Sequence, residues 1–159
     1  MGTIIKELGT FKNLINPILY SSANIREIIL GENTLSESEQ LEALRERIFS
    51  HLYTDDVMTE TATYIFYDVT IPRIGNTAKT CKLIVYCICH KDIINTFTKP
   101  GYYGNRVDAL SQMVEEVFTD SEIIRQYGIG KLNLSGVNIY RDQRKMYGRI
   151  LEFEVPTFS

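Results

Sequence analysis

The chain has no apolar run approaching the roughly 20 residues that cross a bilayer, and no basic segment leads into an apolar one at its amino terminus. Neither a membrane span nor a secretory leader is expected. Its opening Met1-Gly2-Thr3 resembles the start of a myristoylation signal, but Lys6 stands where Ser or Thr is required, which argues against lipidation. Cysteine is scarce. The three, Cys81, Cys87 and Cys89, are too few and too clustered to staple a domain of this size, and alternate residues of one strand are poorly placed to bond each other. Reduced thiols in a cytosolic setting are the expectation. A surplus of positive charge is also missing: 17 basic residues against 20 acidic ones give a net charge of -3. With a pI near 5.4 the chain lacks the broad positive field that drives most non-specific nucleic-acid binding. There is no low-complexity stretch and no repeat of solenoid period.

What is present is globular. A length of 159 residues, 44% hydrophobic and 23% charged, suits one core and a single domain over 1-159. Apolar residues at Ile4, Ile5, Leu8, Phe11, Leu14, Ile15, Ile18 and Leu19 follow a helical stripe, and Pro17 predicts a break in it. A second short helix is expected over Ser22 to Leu30, with Ser22 as N-cap and Gly31 as a left-handed stop. Ser36-Glu37-Ser38-Glu39 matches a capping box, and Leu41, Leu44, Ile48 and Leu52 then recur at steps of three and four. Residues 1-58 therefore read as a helical N-terminal region.

The period then changes. Thr63 to Ile71 is β-branched and aromatic with Ile65, Tyr67, Val69 and Ile71 on one face, and Lys82 to His90 is apolar on both faces, which places it centrally in a sheet. Pro72, Gly75 and Asn76 supply the intervening turn. Asn105 caps a predicted helix whose stripe is Val107, Leu110, Val114, Val117 and Phe118. Strands around Leu132 to Tyr140 and Tyr147 to Val155 flank the turn Arg141-Asp142-Gln143-Arg144-Lys145. The expected class is α+β: a largely antiparallel sheet of about four strands in two hairpins, covered by helices on one face, with an N-terminal helical region and with one covering helix in residues 59-159.

Residues that could carry chemistry are few. Cys81, Cys87, Cys89 and His90 offer zinc-binding atoms, but strand alternation puts Cys87 and Cys89 on one face and His90 on the other, with no Cys-x-x-Cys knuckle. A Cys-His nucleophile is possible with only two histidines, His51 and His90, yet burial in an apolar strand raises a thiol's pKa. Gly128-Ile129-Gly130-Lys131 lacks the early glycine and the Ser or Thr of a phosphate loop, and there is no Gly-x-Ser-x-Gly elbow. Asp55-Asp56 and Glu115-Glu116 read as solvated carboxylates. No catalytic, cofactor-binding or metal residue is assigned.

Surface patterns remain. Glu32 to Glu60 holds eight acidic and two basic residues, a net -6, and the exposed face of its helix carries Glu39, Glu42 and Glu46. Arg141, Arg144, Lys145 and Arg149 make a local positive feature in or beside the last turn, and Tyr102 and Tyr103 occupy a Gly/Pro-rich loop of the kind used at interfaces. With Arg106 these are the candidate interface residues. For the acidic helix a solvated surface is the expectation and a docking face the alternative, whereas for the basic turn solubility and edge protection account for the charges as well as binding does.

The second half resembles the tail terminators and related neck proteins of tailed bacteriophages. The resemblance rests on Tyr86-Cys87-Ile88-Cys89-His90-Lys91, then Gly104-Asn105-Arg106-Val107-Asp108 opening a helix, then Gly128-Ile129-Gly130-Lys131-Leu132 and a closing Tyr147-Gly148-Arg149-Ile150-Leu151-Glu152-Phe153, with an echo in Asn24-Ile25-Arg26-Glu27-Ile28. It implies a non-enzymatic virion subunit without cofactors, made in the host cytoplasm. Such a subunit forms a homo-oligomeric ring, commonly six-fold, on the head-proximal end of the tail tube. Its implied partners are further copies of itself, the tail tube protein and the head-tail connector protein, with DNA passing through the lumen. The long helical region before the first strand departs from that pattern and keeps open another neck protein, a head-tail connector or joining protein. A small metal-dependent nuclease or hydrolase, and a monomeric binding domain, are the rivals from other classes.

Overall fold

The computed structural model describes residues 4–31, 34–52, 60–74, 79–142 and 145–155, with the backbone alone at 72–74 and 79–80. Helices α1 (Ile4–Tyr20), α2 (Ala23–Leu30) and α3 (Glu37–Leu44) lead into strands β1 (Ile48–Phe49), β2 (Thr63–Ile74) and β3 (Lys79–His90). Helices α4 (Arg106–Thr119) and α5 (Ser121–Arg125) then precede β4 (Asn133–Arg141) and β5 (Met146–Val155). The class is α+β, as the order of periods implied.

The sheet has five strands in the order β1-β2-β3-β5-β4. The fifth is β1, which pairs in parallel with β2 through Ile48 and Ile65, and Phe49 and Phe66. Its presence corrects the expected helix: α3 stops at Leu44, and Ile48 enters the sheet instead of continuing the helical stripe. A buried isoleucine fits a helical step of four and a half-buried strand alike, and the register with β2 decides between them. The region 1-58 is therefore not wholly helical. Helices α1, α2, α4 and α5 share one hydrophobic cluster with the sheet, so the sheet is covered by more than one helix.

Pro17 also departs from expectation. Helix α1 runs through it from Ile4 to Tyr20. Proline removes a backbone donor and crowds the preceding turn, but Phe11 and Ile15 before it and Ile18 and Leu19 after it are all buried in the main cluster, and this packing holds the helix in one piece. Ser22 caps α2 by accepting the Ile25 N–H, and Gly31 ends that helix at φ 71°, a backbone region costly to any residue with a β-carbon.

Strand alternation sorts the core onto two faces. Ile65, Tyr67 and Val69 of β2, Leu83, Val85 and Cys87 of β3, and Leu151, Phe153 and Val155 of β5 face the helices. The stripe of α4 packs on them with Val114, Val117 and Phe118 buried, and the Phe118 and Phe153 rings lie 5.5 Å apart. A second, smaller cluster of Tyr64, Phe66, Ile88 and Met146, flanked by Phe49, Tyr86 and Tyr140, occupies the opposite face. Among the described residues its members come from strands and from Ala62, not from helices.

Candidate functional site

The three cysteines are buried side chains of β3, and none is in a disulfide. Burial pushes the Cys87 thiol up to about 12 and the Cys89 thiol up to about 11, because desolvation disfavours the thiolate. A group protonated so far above neutrality is a poor nucleophile and a poor metal ligand. His90 caps the short turn Lys91–Ile93 by accepting the Asp92 N–H on Nδ1 at 3.1 Å. Among the described residues no group of three His, Cys, Asp or Glu side chains is placed to hold a metal ion. Asp55 and Asp56 lie outside the described residues.

The candidate interface residues separate into two kinds, those engaged within the fold and those at its edges. Arg106 is engaged. Its Nη1 donates to the Ile28 carbonyl at 2.7 Å and to Thr63 Oγ1 at 3.4 Å, its Nε donates to the Ile93 carbonyl at 3.1 Å, and its Nη2 donates to Thr96 Oγ1 at 3.0 Å. Its guanidinium also lies 5.5 Å from the centre of the Phe97 ring. One cation thus binds α2, β2 and the loop before α4 together. Burial lowers its pKa from the ordinary arginine value.

Tyr102 is engaged as well. Its hydroxyl donates to Glu116 Oε2 at 2.8 Å and accepts from Asn24 Nδ2 at 2.9 Å, fastening the Gly/Pro-rich loop to α4 and α2. Tyr103 differs from its neighbour in being 76% exposed. Arg149 belongs to the body of β5, where its Nε donates to Asp108 Oδ1 at 2.9 Å. Asp108 in turn completes the α4 capping box with Asn105. A groove of about 270 Å³ runs beside this pair between α4 and the last two strands, with Leu134, Val137 and Leu151 among its lining residues.

Two regions remain at the edges. At one, α3 presents exposed Glu39 and Glu42, and exposed Glu46 stands in the turn between α3 and β1. Its capping box is closed by Glu39, whose carboxyl the Ser36 hydroxyl holds below its ordinary value. At the other edge, β4 ends in exposed Arg141 and turns through exposed Lys145 into β5. Lys145 adopts φ 70°; Arg144 lies outside the described residues. The strand pairings show that both regions are at one end of the sheet. Arg141 pairs with Tyr147, Tyr147 with Cys89, and Cys89 with Thr63, two residues before the contact of β2 with β1.

The apolar character of β4 was missed in the sequence. Val137 and Ile139 are 51% and 56% exposed on the helix-facing side of an edge strand. The signal for it is Leu134-Ser135-Gly136-Val137-Asn138-Ile139, whose apolar positions read as a half-buried strand although they lie largely beyond the reach of α4.

No curated protein matches the chain. A family model does, the one described as YomW, and it aligns with residues 12–155, well over half the sequence. The match takes in α3, β1, the whole sheet and the basic turn, and on it the chain belongs to the YomW family, which bears the name of a phage-associated gene product.

Proposed function

We propose that this protein is a non-enzymatic structural component of a bacteriophage virion, a tail terminator that forms a ring on the head-proximal end of the tail tube and joins it to the head connector. The observation that carries this reading is the placement of unlike surfaces at the two edges of one sheet. The α3 side is acidic and the β4–β5 turn is basic. A ring needs two different complementary patches on every subunit, because a head-to-tail contact closes only through rotation. Family membership supports the phage setting. Copies of the chain, the tail tube protein and the head connector are the proposed partners, with DNA crossing the lumen of the ring.

The test is genetic and structural. Phage lacking this gene are expected to yield filled heads without tails and tails of uncontrolled length, and the protein should be found by mass spectrometry in purified wild-type particles. Normal particles in its absence, or its absence from the virion, would overturn the proposal. Filled heads without tails, beside tails of normal length, would point to a connector or joining protein instead.

A further inference from the structure

The two edges of the sheet differ in how they are protected. On one side, among the described residues, β1 covers Ile65 and Phe66 of β2, and the edge beyond Phe66 is guarded. Asp68 Oδ1 accepts the Val69 backbone N–H at 2.8 Å and the Lys12 ammonium, also at 2.8 Å. The register of β2 slips between Thr70 and Arg73, where Pro72 has no N–H to give. An occupied donor, a charged pair and a proline at an irregularity are devices that stop strands from adding. Strand β4 has no proline, and no charge before Arg141. Its one irregularity lies between Leu134 and Gly136, which leaves Val137 to Arg141 as a regular stretch at the sheet's other edge.

We infer that β4 of one copy adds to the outer edge of β1 in the next, and that this strand pairing is the joint of the ring; the inference rests on the ring proposed above. Direction favours it. Strands β1 and β2 run parallel, β2 and β3 antiparallel, β3 and β5 antiparallel, and β5 and β4 antiparallel. A second copy set alongside in the same orientation therefore brings β4 antiparallel to β1. Level favours it too. Ile48, Ile65, Cys87, Arg149 and Ile139 share one row of the sheet. Counting along the strands from that row puts Val137 level with Ser50, the residue after β1, and Arg141 past the start of β1, on the side of the turn that holds Glu46. Side-by-side addition thus meets the basic turn with the last carboxylates of the α3 segment, Glu42 and Glu46. It also lays the exposed Val137 and Ile139 beside β1, near Leu52, itself 41% exposed. The guard on β2 confines the incoming strand to β1 and so sets the register. Pairing of β4 with β4 would instead give a two-fold dimer and leave α3 out.

The experiment uses the full chain. A Ser50→Cys, Val137→Cys double variant treated with a short bis-maleimide is expected to give a ladder of covalent multimers, and a mixture of the two single variants only covalent dimers. Val137→Lys with Ile139→Lys should abolish the ring and leave folded monomers with an unchanged far-ultraviolet circular dichroism spectrum. Arg141→Glu should weaken assembly, and adding Glu46→Arg should restore it. Rings that persist in the lysine variant and yield no ladder would overturn this joint while the ring itself stands. Covalent dimers from Val137→Cys alone would overturn it in favour of β4 pairing with itself. A wild-type chain that stays monomeric even with tail tubes would overturn the ring and the joint together.

Discussion

Gly148 stands where the sheet has no room for a side chain. A β-carbon there would sit 2.2 Å from the Cys87 carbonyl oxygen and 3.0 Å from the Ile88 α-carbon, against backbone that cannot swing aside. Gly148→Ala is expected to cost about 2 to 3 kcal/mol, the scale of an overpacked core, read as a fall in the denaturant midpoint with an unchanged slope. The neighbouring thiols give a second prediction. Because their folded pKa values are raised, to about 12 for Cys87 and about 11 for Cys89, the stability they contribute is complete below the ordinary thiol value. It is lost as the pH rises through the folded values. Stability measured by urea titration should therefore hold up to about pH 8 and decline in more alkaline buffers. At pH 8 a maleimide should label neither thiol in the native chain and both in urea. Arg106 could be read in the sequence as an exposed cation near a helix start. Nothing local reveals that its partners are the carbonyls of Ile28 and Ile93, since those contacts exist only once α2 and the loop before α4 have met.

Helix α4 shows how much an element can depend on one end. Asn105 accepts the Asp108 N–H at 3.0 Å, and Asp108 Oδ2 accepts the Asn105 N–H at 3.1 Å while its other oxygen holds Arg149. Asn105→Ala is expected to destabilise by about 1 kcal/mol, the usual worth of an N-cap, and to accelerate amide exchange in the first turn of α4. The cap, the buried stripe of α4, the alternation of β2 and β5 and the central place of β3 were all legible, because each is written in residues close together in the chain. What escaped were features decided by distant partners. Pro17 signalled a break that the packing of Phe11, Ile15, Ile18 and Leu19 overrides. Ile48 matched a helical step but is claimed by Ile65. Of the candidate interface residues, the charges of α3 and of the last turn could be seen as runs of like sign. The level they share across five strands could not, since it follows from the order β1-β2-β3-β5-β4.

At the scale of the whole molecule, the helices α1, α2, α4 and α5 share one face of the sheet with the larger core, while the opposite face carries the smaller aromatic cluster. Charge is divided between its two edges in the same spirit, acidic at α3 and basic at the last turn. If these charges meet between neighbouring copies, they interact across exposed surface and are screened by salt over a Debye length of about 10 Å at 0.1 M. The assembled fraction measured by light scattering is then expected to fall as sodium chloride is raised, to fall in the same way in an Arg141→Glu, Glu46→Arg variant, whose charges are exchanged but still opposite, and to change less with salt in an Arg141→Gln, Glu46→Gln variant. The bare flank of β4 has a further consequence for anyone handling the material. A strand with nothing to stop another from docking on it is also where fibrils begin, so stocks stored without their companions should slowly thicken and stain with thioflavin, while a lysine at Val137 should keep them clear.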